Sequence, residues 1–137
     1  MSQFQWQVRI YYEDTDHGGV VYYANYLRFM ERARTEWLRS LGIEQDLLIK
    51  ENDILFAVHN VNIDFLAPAR FNDLLNISVD IIKRGHASLT VNQVVTRDED
   101  ANTALCTAQV RVACLKASTF SACPIPELIL KEIPNVV

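Results

Sequence analysis

In residues 13 to 19 of the sequence, EDTDHGG, three carboxylates and a histidine directly precede a pair of glycines. In proteins, carboxylates serve as metal ligands, as turn residues, or as nucleophiles and general bases. The cluster of Glu13, Asp14, Asp16 and His17 is therefore a candidate for each of these roles.

A metal site is disfavoured by the spacing of the ligands. A calcium loop that began at Asp14 would have Asn25 at its last ligand position, where an EF-hand has a bidentate glutamate. Zinc needs histidine or cysteine partners at ligand spacing, and His17, His59 and His86 lie in separate predicted elements. We therefore expect no metal and no other cofactor.

Two interpretations of the acidic loop remain. Asp14 and Asp16 can be turn residues whose carboxylates bond to nearby backbone amides. Alternatively, a carboxylate shortly before a helix lies near unpaired amides and the positive end of the helix dipole. If Gly18 and Gly19 let a substrate carbonyl approach those amides, the amides form an oxyanion hole and the carboxylate acts as nucleophile or base.

Hydrophobic periodicity predicts the elements that position this loop. Apolar residues alternate over residues 4–12, which is typical of a half-buried strand. Over residues 24–41 they recur every three or four positions, which predicts an amphipathic helix with Asn25 as a candidate N-cap and Gly42 as the C-cap.

The rest of the chain predicts strands over residues 57–65, 75–81, 89–95 and 103–116, followed by a short helix near PELILKEI. One strand, one long helix and four strands joined by short turns indicate an α+β architecture with an antiparallel sheet. His59 falls on the inward face of its strand and is expected to be a core histidine.

Composition narrows the class of function. The chain has 137 residues, enough for a single domain, and its net charge of -4 disfavours nucleic-acid binding. No apolar run approaches the ~20 residues of a membrane helix, and no signal-peptide core is visible. Three cysteines without a CxxC pair favour reduced thiols. We therefore expect a cytoplasmic protein, and the exposed apolar residues Ile82 and Val94 predict an oligomer.

The run VRIYYEDTDHGGVVYYANYLRFMERARTEWLRSLG resembles the hotdog-fold acyl-CoA thioesterases of the 4-hydroxybenzoyl-CoA thioesterase class. It is most similar to their YbgC group, the acyl-CoA thioesterases associated with the Tol-Pal system. The residues that match the family signature are Thr15, Asp16, Gly19, Val20, Val21, Tyr22 and Tyr26. The resemblance implies one hotdog domain over residues 1–137, with a sheet of about five strands wrapped around one long helix.

The resemblance also implies roles for single residues. Asp16 is the catalytic carboxylate, and the backbone amide of Tyr23 is the donor to the thioester carbonyl, at a position where close relatives often have histidine. The implied substrate-binding positions are Gly19, Val21, Tyr22, Tyr23 and Tyr26. At predicted strand ends, Lys83, Arg84 and Lys116 are candidates for contacts with the phosphates of coenzyme A, or else solvated turn charges.

The activity that the resemblance implies is hydrolysis of acyl-CoA, with acyl carrier protein as a second candidate partner. Asp16 would act either as nucleophile or as general base. The expected assembly is a homotetramer built from dimers, with active sites at the dimer interface. Two alternatives are a hotdog hydroxyacyl-thioester dehydratase, which needs a histidine paired with a carboxylate, and a non-catalytic module that binds acyl thioesters or acyl carrier protein.

Overall fold

The computed structural model describes residues 4–134. Its elements, in chain order, are β1 (Gln5–Arg9), a 3₁₀ turn (Tyr12–Asp14), α1 (Tyr23–Ser40), α2 (Gln45–Asn52), β2 (Ile54–Phe65), β3 (Leu74–Ser78), β4 (Asp80–Arg84), β5 (Ser88–Arg97), β6 (Asp100–Lys116) and α3 (Glu127–Leu130). The predicted domain limits, residues 1 and 137, lie outside the described residues.

The strands form one antiparallel sheet in the order β1-β3-β5-β6-β2, with β4 also paired to β5. The predicted antiparallel sheet is therefore confirmed, with six strands where about five were expected. The extra strand arises because the predicted strand 75–81 is interrupted at Val79. Near that interruption the Ser78 hydroxyl accepts a hydrogen bond from the Val94 N–H at 2.9 Å, so this amide of β5 is bonded to a side chain.

Helix α1 lies against one face of the sheet, as its periodicity predicts. Its buried apolar residues are Tyr26, Phe29, Met30, Ala33, Trp37 and Leu38. They belong to the same core as the small buried side chains of β6, among them Cys106, Ala108 and Cys114. Gly42 has a φ of 83°, a left-handed conformation that confirms its predicted role in ending the helix.

One buried polar side chain joins the helix to the sheet. Gln93 on β5 is 0% exposed, and its Nε2 donates to the Met30 carbonyl at 3.1 Å. Its Oε1 accepts from Arg34 Nη1 at 2.9 Å, and burial lowers the pKa of that guanidinium. Because both ends of Gln93 are bonded, a polar group is accommodated in the core without an unpaired donor or acceptor.

Three local predictions differ from the structure. Strand β1 ends at Arg9, because the chain then turns and Asp14 Oδ2 accepts a hydrogen bond from the Tyr11 N–H at 2.9 Å. Helix α2 was not predicted, and Leu48 is its one fully buried residue. The expectation that His59 is a core residue is wrong: it is exposed at a β-bulge between Val58 and Asn60.

Candidate active site

The acidic residues lie in a tight loop between β1 and α1. Thr15 and Val21 form an antiparallel bridge, and between them the Asp16 N–H donates to the Val20 carbonyl at 3.0 Å. The Gly19 N–H donates a hydrogen bond to the Asp16 carbonyl at 3.0 Å. Gly19 has a φ of 77°, a backbone conformation that glycine adopts without strain. The loop is therefore a miniature hairpin with Asp16 at its turn.

The Asp16 carboxylate is exposed and is held by its own turn. Its Oδ1 accepts a hydrogen bond from the Gly18 N–H at 2.9 Å. This is the turn chemistry that the sequence allows, but it occupies one oxygen only, and no ion pair or further hydrogen bond to this side chain forms within residues 4–134. The second oxygen is free to accept a proton or attack a carbonyl group.

Backbone and side-chain hydrogen bonds fasten this loop to the start of α1. The Asp14 carbonyl accepts from the Tyr22 N–H at 3.0 Å and from Asn25 Nδ2 at 2.9 Å. On the other side, the Val21 N–H donates to the Ala69 carbonyl at 2.8 Å. The loop is therefore fixed between the helix and the segment that follows β2.

Asn25 has a different role from the one predicted. The helix begins at Tyr23, its N-cap is Tyr22, and no side chain caps it. Asn25 is only 7% exposed, and its side chain bonds to the Asp14 carbonyl instead of the helix amides. Its contribution was missed because the partner carbonyl belongs to a loop whose path is not evident from local sequence.

The uncapped start of α1 leaves amide donors available. The Tyr22 and Asn25 N–H groups are bonded to backbone carbonyls, at 3.0 and 2.9 Å. The Tyr23 and Ala24 N–H groups have no acceptor within residues 4–134. These two amides, together with the dipole of an 18-residue helix, form a site suited to negative charge.

The implied substrate-binding residues fall into two groups. Gly19, Tyr22 and Tyr23 are exposed, and the Tyr23 ring lies edge-on to Phe65 of β2 with centroids 5.9 Å apart. Val21 and Tyr26 are buried, so in this chain they position the loop and the helix.

Tyr26 anchors the segment that holds the loop. Its phenol oxygen accepts a hydrogen bond from the buried Ala69 N–H at 3.0 Å, and burial raises the pKa of the phenol. We expect Tyr26→Phe to lower the free energy of unfolding by about 1–3 kcal/mol, because the Ala69 amide loses its acceptor. Urea denaturation measures this. The control Tyr12→Phe, at a tyrosine that is 74% exposed, should change stability by less than about 0.5 kcal/mol; equal effects of the two changes would contradict the assignment.

Lys83 and Arg84 lie far from Asp16 within one chain. They pair with Thr90 and Leu89 on β5, whereas the loop end of the sheet adjoins Arg97. Arg97 lies seven positions after Thr90 along the strand, a distance of about 23 Å. Arg84 Nη2 also donates to the Ile133 and Pro134 carbonyls at 2.7 Å each, so it holds the C-terminal segment.

The remaining candidates supply neither a metal site nor a thiol nucleophile. No group of three or more His, Cys, Asp or Glu side chains is arranged to hold a metal within the described part of the chain. All three cysteines are buried, and burial raises the pKa of Cys106 and of Cys114 to about 12. His17 is exposed beside Asp16 and makes no hydrogen bond within residues 4–134.

Solved structures with a similar fold define the class of protein. A probable thioesterase from Bartonella henselae superposes with a TM-score of 0.82 at 33% identity, over 89% of this chain and 98% of that one. A 1,4-dihydroxy-2-naphthoyl-CoA thioesterase from Synechocystis gives a TM-score of 0.85 at 25% identity, over 94% of this chain and 93% of that one. The fold is that of the hotdog thioesterases.

Sequence comparison gives the family. The profile of the thioesterase superfamily matches residues 18–104. The acyl-CoA thioester hydrolase YbgC of Escherichia coli O6:H1 is 41% identical over 94% of both chains, and the acyl-CoA thioesterase YbgC of Haemophilus influenzae is 39% identical over 90% of this chain and 89% of its own. The chain therefore belongs to the thioesterase superfamily and, within it, to the YbgC family. None of the helices in residues 4–134 is long and apolar enough to cross a membrane.

Proposed function

We propose that this chain hydrolyses acyl-CoA thioesters to the free acid and CoA, with Asp16 as the catalytic carboxylate. The observation that carries the proposal is that this exposed carboxylate lies in a loop bonded directly to the start of α1, where the Tyr23 and Ala24 amides have no acceptor within residues 4–134. The 41% identity to a YbgC acyl-CoA thioester hydrolase supports the substrate class.

The Tyr23 amide is the proposed oxyanion donor. As the thioester carbonyl carbon becomes tetrahedral, its oxygen gains negative charge, which this N–H and the α1 dipole stabilise. A backbone donor of this kind contributes about 10² to 10³ in kcat. Because the contact uses the backbone, a tyrosine at this position, where the resemblance implies that relatives often have histidine, is compatible with this role, although it cannot supply any function of a histidine side chain.

Asp16 can complete hydrolysis by two routes. As a nucleophile, its free oxygen bonds to the acyl carbon, the C–S bond breaks, CoA leaves as a thiolate, and water then cleaves the mixed anhydride. As a general base, Asp16 takes a proton from a water molecule that attacks the same carbon, and the C–S bond breaks in turn. Each route consumes one water and releases the acid and CoA.

An assembly of copies is proposed to complete the site. Within residues 4–134, β2 pairs on one edge only, with β6. That strand and its continuation expose Val58, Val61, Phe65 and Leu66, and the Phe65 ring adjoins Tyr23. A bare, apolar strand edge beside an active site is suited to pairing with a second copy.

We expect sedimentation equilibrium to report a homotetramer that dissociates through dimers. The reason is that the exposed apolar residues of β2 are stabilised by burial between copies. A monomer at every protein concentration would contradict this assembly and with it an active site shared between copies.

We also propose that the protein is cytoplasmic, on the evidence of its cysteines. The three cysteines are free thiols, and the sulfurs of Cys114 and Cys123, 3.7 Å apart, share a hydrogen bond and form no disulfide, as expected for a cytoplasmic protein. Acyl carrier protein is a second candidate carrier of the acyl thioester, since it presents the same reacting bond.

Product analysis separates hydrolysis from the two alternatives. With a 3-hydroxyacyl-CoA as substrate, we expect the 3-hydroxy acid and free CoA. Enoyl-CoA would instead reveal a dehydratase, although no histidine is paired with a carboxylate within residues 4–134. Recovery of unchanged 3-hydroxyacyl-CoA bound to the protein would identify a binding module and overturn the proposal.

A further inference from the structure

A cavity of about 280 Å³ lies between the C-terminal half of α1 and the sheet. Leu89 on β5 pairs with Val112 on β6, and Val112 pairs with Val58 on β2, so one row of side chains across three strands forms its floor. Its volume is close to the lower limit of small-molecule sites. The apolar residues that line it below the mouth are Trp37, Leu38, Phe56, Leu89, Val91 and Val112.

Three of the four polar side chains around this cavity are bonded to one another. The Thr35 hydroxyl donates to Glu31 Oε2 at 2.7 Å and accepts from Gln45 Nε2 at 3.3 Å. Glu31 and Thr35 belong to α1 and Gln45 to α2, so this chain of hydrogen bonds joins the two helices along one wall of the cavity.

Arg34, the fourth polar side chain, has donors to spare. A guanidinium carries five N–H donors, and within residues 4–134 that of Arg34 makes one side-chain hydrogen bond, to the neutral amide of Gln93, and no ion pair. Glu31 favours its charged form from beyond ion-pair distance. Since no buried side-chain nitrogen in this part of the chain lacks a partner, the remaining donors of Arg34 reach the open space of the cavity.

The chemistry of these walls defines the ligand that they suit. A largely desolvated guanidinium is stabilised by an anion, and its planar fork matches the two oxygens of a carboxylate. The apolar floor and sides are stabilised by a hydrocarbon chain that displaces water from them. A complementary ligand therefore has a carboxylate at one end and an aliphatic chain behind it.

We propose that this cavity binds an aliphatic monocarboxylate, with its carboxylate on Arg34 and its chain against Trp37, Leu38 and the row that contains Leu89 and Val112. The inference goes beyond hydrolysis, because this ligand has no thioester and the contacts do not involve Asp16. The site also differs from the amides at the start of α1. Trp37 lies fourteen positions after Tyr23 on the helix, which is about 21 Å.

Calorimetry with three ligands of one chain length tests the carboxylate contact: octanoate, octanol and octylamine. We expect wild-type protein to bind octanoate about tenfold more tightly than octanol, because charge-assisted hydrogen bonds are the stronger ones, and to bind octylamine most weakly. In Arg34→Gln, the Kd values of octanoate and octanol should fall within about twofold of each other. Arg34→Lys keeps the cation and should retain the preference for octanoate. Arg32→Gln, at an exposed charge on the same helix, is the matched control.

The fluorescence of Trp37 locates the bound ligand. The chain has two tryptophans, so Trp6→Phe leaves Trp37, which lines the cavity, as the one tryptophan that emits. Octanoate in the cavity is expected to shift this emission. Octanoate bound to the amides at the start of α1, about 21 Å away, would leave it unchanged.

Any of three results would overturn the proposal: no saturable binding of octanoate, equal binding of octanoate and octanol to wild-type protein, or binding without a change in Trp37 emission. The first is also the result expected if a second copy of the chain fills the cavity with its own side chains. An unchanged preference for octanoate in a folded Arg34→Gln protein would likewise reject the role of Arg34. Far-UV circular dichroism and the urea midpoint show whether each variant is folded.

Kinetics distinguish two sources of the ligand, since the acid released by the proposed hydrolysis and a free acid from elsewhere share this chemistry. Competition between octanoate and acyl-CoA would identify the cavity as the place of the substrate's own acyl group. Mixed inhibition would identify a separate site for free acid. The binding experiments need no turnover, so a protein that hydrolyses no acyl-CoA would refute the proposed function and leave the test of this cavity intact.

Discussion

Asp16→Asn is expected to lower kcat for acyl-CoA hydrolysis by ~10² to 10⁴, because an amide is neither a nucleophile nor a base. The change keeps the geometry of the site. Asparagine retains the oxygen that accepts from the Gly18 N–H, so the turn that holds the residue is preserved. Far-UV circular dichroism and the urea midpoint should therefore match the wild type while the rate of thiol release falls.

Glu13→Gln is the matched control for this loss. It removes the same charge three residues away, from an exposed carboxylate that makes no hydrogen bond or ion pair within residues 4–134. We expect its kcat to stay within about twofold of wild type, since this exposed carboxylate does not bond to the turn of Asp16 and its charge is attenuated by solvent. Wild-type turnover in Asp16→Asn would mean that Asp16 is a turn residue only.

Gly19→Val is expected to lower kcat/KM by roughly 10², through the backbone and not through a clash. A Cβ at Gly19 would meet nothing within 4 Å, so there is room for a side chain. The φ of 77° is the obstacle, because a β-branched residue is strained there by about 1–3 kcal/mol. Relaxing that strain moves the turn that aims Asp16, and a displacement of about 1 Å can reduce rates by that factor.

Gly42→Val is the control that distinguishes a loss of kcat/KM caused by displacement of Asp16 from one caused by lower stability of the whole protein. Gly42 has a φ of 83° and also has nothing within 4 Å of an added Cβ, but it lies at the far end of α1. The two variants should lose similar stability in urea denaturation, and only Gly19→Val should lose kcat/KM. Equal catalytic losses, or none in a folded Gly19→Val protein, would count against the role of this turn.

The parts of the fold that periodicity predicts are those whose burial follows one regular pattern. Helix α1 buries Tyr26, Met30, Ala33 and Trp37 on one face, so its sequence alone locates it to within a residue at each end. Helix α2 was not predicted because only Leu48 is fully buried, which gives almost no periodic signal.

The division of one predicted strand into β3 and β4 has a different cause. Leu75, Ile77, Val79 and Ile81 are all buried, so the alternation runs unbroken through residues 75–81. Side-chain alternation reports which face is buried and carries no information about ladder hydrogen bonds. The interruption depends on pairing with β5, where the Ser78 hydroxyl accepts from Val94.

In the candidate site, too, local sequence predicts which neighbouring residues lie together and does not predict contacts between distant parts of the chain. Asp16, Gly19 and the start of α1 are contiguous in sequence, so their proximity is predictable. Asn25 reaches the Asp14 carbonyl, and Arg84 reaches the carbonyl of Ile133, through the folded path of the chain.

The central claim is that this chain turns over acyl-CoA thioesters, and thiol release tests it most directly. Purified wild-type protein is incubated with acyl-CoA substrates of increasing chain length, and free CoA is followed with a thiol reagent at protein concentrations far below substrate. We expect many equivalents of CoA per chain for one or more acyl lengths, at a rate proportional to protein. Thiol release no faster than in buffer for every acyl-CoA would contradict the account.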